Sequence, residues 1–330
     1  MKWMGVSLCL LGCAAAWADS AFVDFDRGLI HPAELGGMPC ERVEKYNDPS
    51  LGYTVFYQRG DTFSAEVSVL TYGRDAIETG AKADGIEMVF EAVEMLQERA
   101  EESGIIGKVS KRGATVVPSK GDLRFASRVY QFNVPRVGEL GTNSVPRIAS
   151  VYVTGAKNAF VKIEFRFDVA EGRAARAMAD QLVKQQISML RAEPSPDELL
   201  LAACDAAVYN PADHGGRAAA QRVFARARSM GELNIYDALF VWPRNYGKPE
   251  NADLLVAAYF AGMLQVVLPA KAEAGGEYEA FAAMLTAYEA MRARDDIDSI
   301  PRLDEWLKAP DRAALYQSLL VEFGYAAAAE

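Results

Sequence analysis

Hydrophobic periodicity changes abruptly at the segment Glu193-Pro194-Ser195-Pro196. Before this segment, apolar and polar residues alternate over short runs, which is typical of half-buried β-strands. After it, apolar residues recur every three or four positions, which is typical of amphipathic helices. The sequence therefore predicts an α+β fold, in which an antiparallel sheet packed by helices is followed by an all-α helical domain.

The first half carries hairpin signals. Tyr53, Val55 and Tyr57 alternate with the residues between them, and the alternation resumes at Phe63 after the turn Arg59-Gly60-Asp61, so we predict a β-hairpin. Three further strands are predicted at 123–132, 147–154 and 159–168, the last two joined by a short turn. One helix is predicted to follow Asp84, which caps it with Glu87 as the capping-box partner, and to end at Gly104; a second helix is predicted from about 172 to 191.

Charged residues alternate with apolar ones along the predicted strand 159–168. Lys162, Glu164, Arg166 and Asp168 share one face of it. We interpret this charged stripe as the solvent side of a half-buried strand, because such alternation is usual in antiparallel sheets. The alternative is a polar recognition face.

The second half is predicted to be helical throughout. Ser195 is placed to cap the first helix, with Pro196 at its first position and Glu198 as the capping partner. Further helices are predicted at 217–230, 252–268, 277–294, 302–308 and 311–323. No 34-residue period is present, so a small irregular bundle is expected rather than a repeat array.

The order of elements between about residues 41 and 190 resembles a known family. The segment Lys45-Tyr46-Asn47-Asp48-Pro49 leads into Gly52-Tyr53, and a hairpin, a long helix, the late strand Phe160–Phe167 and a final helix follow. This order resembles the PsbP/Mog1-like α/β/α sandwich and covers about half of the chain. The resemblance implies an accessory or binding module without catalytic residues of its own.

The first eighteen residues, Met1–Ala18, have the pattern of a cleaved signal peptide: a basic residue, an apolar run and small residues before Asp19. We therefore expect residues 1–18 to be a signal peptide, 19–193 an α+β domain and 194–330 a helical domain. The expected location is periplasmic or secreted. The alternative is lipidation at Cys13, which follows Leu10-Leu11-Gly12 and would anchor a lipoprotein to the membrane.

The net charge limits the classes of partner that we expect, and the cysteine content limits the possible disulfides. The net charge of −10 disfavours nucleic acid and anionic lipid, so no nucleic-acid partner is expected, and membrane contact only if Cys13 is lipidated. Beyond the signal segment only Cys40 and Cys204 remain. They either pair in a disulfide, as an exported protein permits, or stay free, with Cys204 packed as a small apolar side chain on a helix face.

Few residues suggest chemistry. The chain has two histidines, His31 and His214, both interpreted as loop residues, although Asp213 could orient His214 as a base. Neither a serine-hydrolase elbow nor a calcium-binding loop is present, and the acidic run 295–298 is interpreted as a connector between helices. No catalytic, cofactor-binding or metal-binding residue is therefore predicted, and no cofactor.

The expected function is an exported, non-catalytic accessory or protein-binding role in the bacterial cell envelope, with a protein partner. The aromatic loop with Phe240, Trp242, Arg244 and Tyr246 is the predicted partner surface. One alternative is a hydrolase or carbohydrate-active enzyme, which would need two carboxylates about 5–10 Å apart in a pocket. Another is a small-ligand carrier with a pocket between the two halves.

Overall fold

A computed structural model describes residues 20–48, 51–117, 123–138, 141–230, 249–272 and 275–325. Its strands are β1 Ser20–Asp24, β2 Leu29–Pro32, β3 Glu34–Leu35, β4 Met38–Lys45, β5 Tyr53–Arg59, β6 Phe63–Leu70, β7 Ser110–Val117, β8 Phe125–Gly138, β9 Gly141–Ala156 and β10 Ala159–Asp168. Its helices are α1 Ile86–Glu102, α2 Gly172–Arg191, α3 Pro196–Tyr209, α4 His214–Met230, α5 Pro249–Ala270, α6 Glu277–Ala293, α7 Pro301–Leu307 and α8 Arg312–Glu322.

Eight strands form one antiparallel sheet in the order β3-β4-β5-β6-β10-β9-β8-β7. The predicted β5–β6 hairpin is present, with Tyr53 opposite Val69. The predicted turn between β9 and β10 is also present: Lys157 and Asn158 both have positive φ, as the two central residues of a tight type I′ turn require. The α+β class is confirmed.

One helix lies on each face of this sheet. On one face, Leu182 of α2 packs in a core that includes Val67 and Ile163. On the other, Val89 and Phe90 of α1 pack in a second core that runs along β8–β10. The α1 core contains no residue of β4 or β5. Helix α1 thus leaves part of its face of the sheet uncovered.

The start of α1 differs from the prediction. Gly85, with φ of +96°, is the cap residue, and no side chain caps the helix. The carboxylate of Asp84 instead accepts a hydrogen bond from Arg74 Nη1 at 2.9 Å. The positive φ of Gly85 turns the chain into the helix without a side-chain cap, because glycine adopts this conformation at little cost.

Helices α3 to α8 share a third core, in which Tyr259, Phe281 and Trp306 are fully or almost fully buried. The predicted capping box at the start of α3 is confirmed: Ser195 accepts a hydrogen bond from the Glu198 N–H group, and the Glu198 carboxylate accepts one from the Ser195 N–H group.

Residues Asn251–Ala270 of α5 form a helix long and apolar enough to cross a membrane, and 67% of this apolar window is buried in the protein.

The hairpin β1–β2 connects the sheet to the helices. Val23 and Ile30 belong to the helical core, whereas Phe22 and Leu29 belong to the core under α2. This hairpin was not predicted, because the first strand that we predicted from the sequence begins at Tyr53. The interpretation of His31 as a loop residue is wrong for the same reason: His31 lies on β2 and is fully buried.

Candidate functional site

A groove of about 270 Å³ runs along the edge of α1, over the centre of the sheet. We call it the α1 groove. Its floor is charged and is formed by Glu66, Arg147, Lys162, Glu164 and Arg166. Its walls are mostly apolar and consist of Val93, Leu96, Gln97, Ala100, Ile105, Ile106, Phe132 and Val134.

The charged stripe on β10 lies on this floor. The interpretation of the stripe as the solvent side of the strand is wrong, because Lys162 is 9% exposed and Glu164 5% exposed. Alternation shows which residues share a face of a strand but not what covers that face. Here α1 and the segment after it, with Ile105 and Ile106, rise beside the strand and enclose the charges.

Each charge on the floor has a partner of opposite sign. Arg166 Nη1 lies 2.9 Å from Glu66 Oε1, and its Nη2 lies 2.7 Å from Glu164 Oε1. Lys162 Nζ lies 3.3 Å from Glu164 Oε2. Beside them, Arg147 Nε lies 2.7 Å from Asp168 Oδ1. The guanidinium of Arg166 thus bridges two carboxylates on neighbouring strands.

The pKa values of Glu66 and Glu164 are shifted in opposite directions. Burial raises the pKa of Glu66 above its ordinary value, and the nearby Arg166 only partly offsets this. Burial also acts to raise the pKa of Glu164, but Arg166 and Lys162 together lower it below its ordinary value. Burial opposes the charged form of Lys162, yet Glu164 and Glu66 raise its pKa, so the ammonium stays charged.

The two-carboxylate hydrolase alternative needs two carboxyl groups in one pocket, and Glu66 and Glu164, directly opposite each other on β6 and β10, both line the groove. A pair of carboxyl groups with diverging pKa values is also a common acid–base arrangement. However, Arg166 contacts both carboxylates, and a scissile bond between them would have to occupy the space of its guanidinium. The arrangement therefore suits a fixed, charged floor better than a catalytic pair.

Gln97 is the unusual residue of the wall. Its side chain lines the groove and the residue is 9% exposed, yet neither its amide oxygen nor its amide nitrogen has a hydrogen-bond partner among the described residues. A buried amide without partners costs about 1–3 kcal/mol. Beside it, Leu96 and Ile105 are 61% and 65% exposed. The groove thus combines unsatisfied polar atoms with exposed apolar side chains.

A second cavity, of about 460 Å³, lies where the β1–β2 hairpin, the ends of β4 and β5, and α4 meet. We call it the junction cavity. Its walls include Asp24, Arg27, Lys45, Tyr53 and Arg222. It occupies the position, between the two halves, that the small-ligand alternative requires.

A buried hydrogen-bonded chain leads away from the junction cavity. Tyr53 OH is bonded to Asp24 and lies 2.9 Å from His31 Nε2. Because the Asp24 carboxylate can only accept, Tyr53 donates to it and accepts from His31 Nε2–H. The Nδ1 atom of His31 has no partner among the described residues. Burial lowers the pKa of His31 to about 4, so the ring is neutral at pH 7.

His214 does not form a base oriented by Asp213. It is the first residue of α4, and the carboxylate of Asp213 accepts from the Gly216 N–H group at 2.8 Å, which caps the helix. Among the described residues, no group of three or more His, Cys, Asp or Glu side chains could hold a metal ion.

Cys40 and Cys204, the cysteines among the described residues, are free thiols. Cys204 is buried in the helical core, and burial raises the pKa of its thiol well above the ordinary value. Cys40 is half-buried on β4, where burial raises its pKa to about 12. These environments favour the apolar-packing alternative for Cys204.

Three predicted features lie outside the described residues: the signal segment 1–18, the lipidation candidate Cys13, and the aromatic loop with Phe240, Trp242, Arg244 and Tyr246. Sequence reasoning did not find Gln97 or Glu66 as site residues. The only signal for Gln97 is a polar residue close in helical spacing to the apolar Val93 and Phe90, and sequence alone assigns no partner to it.

No family model matches this chain, and no curated protein matches it. The likeness of residues 41–190 to PsbP/Mog1-like domains stays a prediction.

Proposed function

We propose that this chain is an exported, non-catalytic binding protein of the bacterial cell envelope that holds a partner protein in the α1 groove. One observation carries the proposal: the exposed side chains of Leu96 and Ile105 flank a groove whose wall contains the amide of Gln97, which has no hydrogen-bond partner in the part of the chain that the structure describes. The same groove thus offers apolar surface for burial and polar atoms for hydrogen bonding.

The apolar rim supplies the binding free energy. Full burial of a leucine or isoleucine side chain is favourable by about 1.5–3 kcal/mol relative to exposure. Leu96 and Ile105 keep most of their surface in water, so a partner that covers them gains much of this free energy. A volume of about 270 Å³ holds only a few side chains, so we take an extended segment of the partner as the occupant.

The apolar segment Met1–Ala18 supports export of this protein. Mass spectrometry of the mature protein tests this directly. We expect an N-terminus at Asp19. A diacylglyceryl-modified Cys13 would instead make the protein a membrane-anchored lipoprotein, and an intact Met1 would contradict export.

Site-specific photo-cross-linking in intact cells tests the binding surface. A benzophenone amino acid in place of Leu96, and separately in place of Ile105, should give the same cross-linked species. Val321 is the matched control, because it is an exposed apolar residue on α8 that does not line the groove. Equal cross-linking at Val321, or no adduct at Leu96 and Ile105, would contradict the proposal.

Leu96→Asp gives an independent measurement on the partner identified by cross-linking. A charge at the rim removes the apolar contact and should weaken binding at least tenfold, whereas Val321→Asp should leave binding unchanged within twofold. Circular dichroism of both variants checks that they are folded.

Carriage of a small ligand is a second candidate function, and the junction cavity favours it. A bound ligand at 100 times its Kd raises the free energy of unfolding by about 2.7 kcal/mol. Thermal unfolding against small organic acids, amines and sugars should then reveal a stabilising compound. Ala218→Phe, which partly fills the cavity, should abolish the shift, and Ala225→Phe on the same helix should not. Absence of any ligand-dependent shift would dismiss this candidate.

A further inference from the structure

The floor of the α1 groove has hydrogen-bond donors to spare. The ammonium of Lys162 has three N–H groups, and within the described part of the chain its hydrogen bond is the one to Glu164 Oε2 at 3.3 Å. The other two cations of the lining already face carboxylates, since Arg166 contacts Glu66 and Glu164, and Arg147 contacts Asp168. A ligand group that only accepts hydrogen bonds, such as a carboxylate, complements this lining.

Gln97 adds a second requirement. Within the described ranges its NH₂ group lacks an acceptor and its oxygen lacks a donor. A carboxylate satisfies only the NH₂ group. The oxygen needs an N–H group close to that carboxylate, and the last residue of a peptide chain provides both within a few bonds.

We infer that the α1 groove binds the free C-terminus of an apolar peptide segment, with its terminal carboxylate towards Lys162 and its last amide N–H group paired with Gln97. The inference rests on the proposed function, because it names the part of the partner that occupies the groove. The terminal side chains would lie against the apolar walls, including Leu96 and Ile106.

The size and charge of the groove agree with this occupant. A volume of about 270 Å³ is roughly nine times that of a water molecule in the liquid, which suits one or two residues. The carboxylates of Glu66 and Glu164 would repel a terminal carboxylate, but both are already paired with Arg166. Among the described residues, the Lys162 ammonium has one hydrogen bond, to Glu164, so its other N–H groups can serve the ligand.

Two peptides that differ in one group test the inference. A hexapeptide that ends in leucine and phenylalanine is labelled with fluorescein at its N-terminus and prepared with a free C-terminal carboxylate or with a C-terminal amide. Fluorescence anisotropy should show the free acid binding at least tenfold more tightly than the amide. Equal affinities, or no binding of either peptide at millimolar protein, would overturn the inference.

Two variants locate the effect. Gln97→Glu keeps the shape of the side chain but adds a negative charge, so it should weaken the free acid at least tenfold and leave the amide within twofold. Gln221→Glu on α4, which is exposed and remote from the groove, should change neither. Lys162→Met should remove the preference for the free acid. If Lys162→Met does not fold, the Gln97→Glu result decides.

The failure of this inference is distinguishable from that of the proposed function. If both peptides bind equally and Leu96→Asp weakens both, the groove binds an internal segment, and only the terminal carboxylate is dismissed. If neither peptide binds and no cross-link forms at Leu96 or Ile105, the proposed function fails as well.

Discussion

At the scale of single residues, the structure places ionisable groups where water does not reach, and each one makes stability depend on pH. His31 is fully buried with a neutral ring, and Glu164 is buried with a charged carboxylate. The histidine is tolerated because it stays uncharged, and the glutamate because Arg166 and Lys162 compensate its charge.

His31 should destabilise the fold in mild acid. Its pKa is 6.5 in the unfolded chain and about 4 in the fold, so between these values only the unfolded state binds the proton. The free energy of unfolding should therefore fall by about 3 kcal/mol as the pH drops from 6.5 to 4. Urea titrations at several pH values should show that the free energy of unfolding depends less on pH in His31→Gln than in the wild type. The control His214→Gln should keep most of the pH dependence of the wild type. Equal pH dependence in His31→Gln and the wild type would contradict the assignment.

Arg166 should be the most sensitive position of the groove floor. Arg166→Met leaves Glu66 and Glu164 facing each other without their shared partner, and breaking a buried ion pair in this way costs about 3 kcal/mol or more. The loss measured by urea unfolding should shrink from pH 7 to pH 4.5, because the freed carboxyl groups then take up protons. Arg173→Met, an exposed arginine on α2, should cost less than about 0.5 kcal/mol. A pH-independent loss would count against this account.

At the scale of elements, local signals were reliable where the chain neighbours themselves decide the structure. The β5–β6 and β9–β10 hairpins and the start of α3 follow from turn and capping residues, and all three are present. Strands β1–β4 and β7 were not predicted. β4 carries charged residues among few apolar ones, and its pairing with β5 depends on contacts distant in sequence.

The capping box at the start of α3 should contribute measurably to the free energy of unfolding. Ser195→Ala removes the acceptor for the Glu198 N–H group, so the free energy of unfolding should fall by about 1 kcal/mol. Ser318→Ala, in the exposed part of α8, provides the matched control and should stay within about 0.5 kcal/mol of the wild type. Equal effects of the two substitutions in thermal or urea unfolding would show that the cap is not stabilising.

At the scale of the whole molecule, the β1–β2 hairpin ties the sheet to the helices. Its residues alternate between two cores, with Phe22 and Leu29 in one and Val23 and Ile30 in the other. The predicted boundary at 193/194 falls between α2 and α3, but the contacts that join the two regions come from the first strands of the chain.

Loss of this tie should destabilise both regions together. Ile30→Ala creates a cavity in the helical core and should cost about 2–4 kcal/mol. Hydrogen exchange followed by mass spectrometry should show lower protection in β10 and in α6 alike. Val321→Ala, at an exposed site, should leave both unchanged. A loss confined to α6 would mean that the two regions unfold independently.

The sequence by itself determined the α+β class, two of the hairpins, the capped start of α3 and approximate positions for the described helices, because periodicity, turn residues and caps act between near neighbours. Only the tertiary structure decided that Lys162, Glu164 and Arg166 lie in a groove, that Gln97 has no hydrogen-bond partner among the described residues, and that His31 is buried. A strand's alternation states which residues face the same way. What covers that face depends on α1 and on strands far away in the chain, and contacts of that range leave no local pattern.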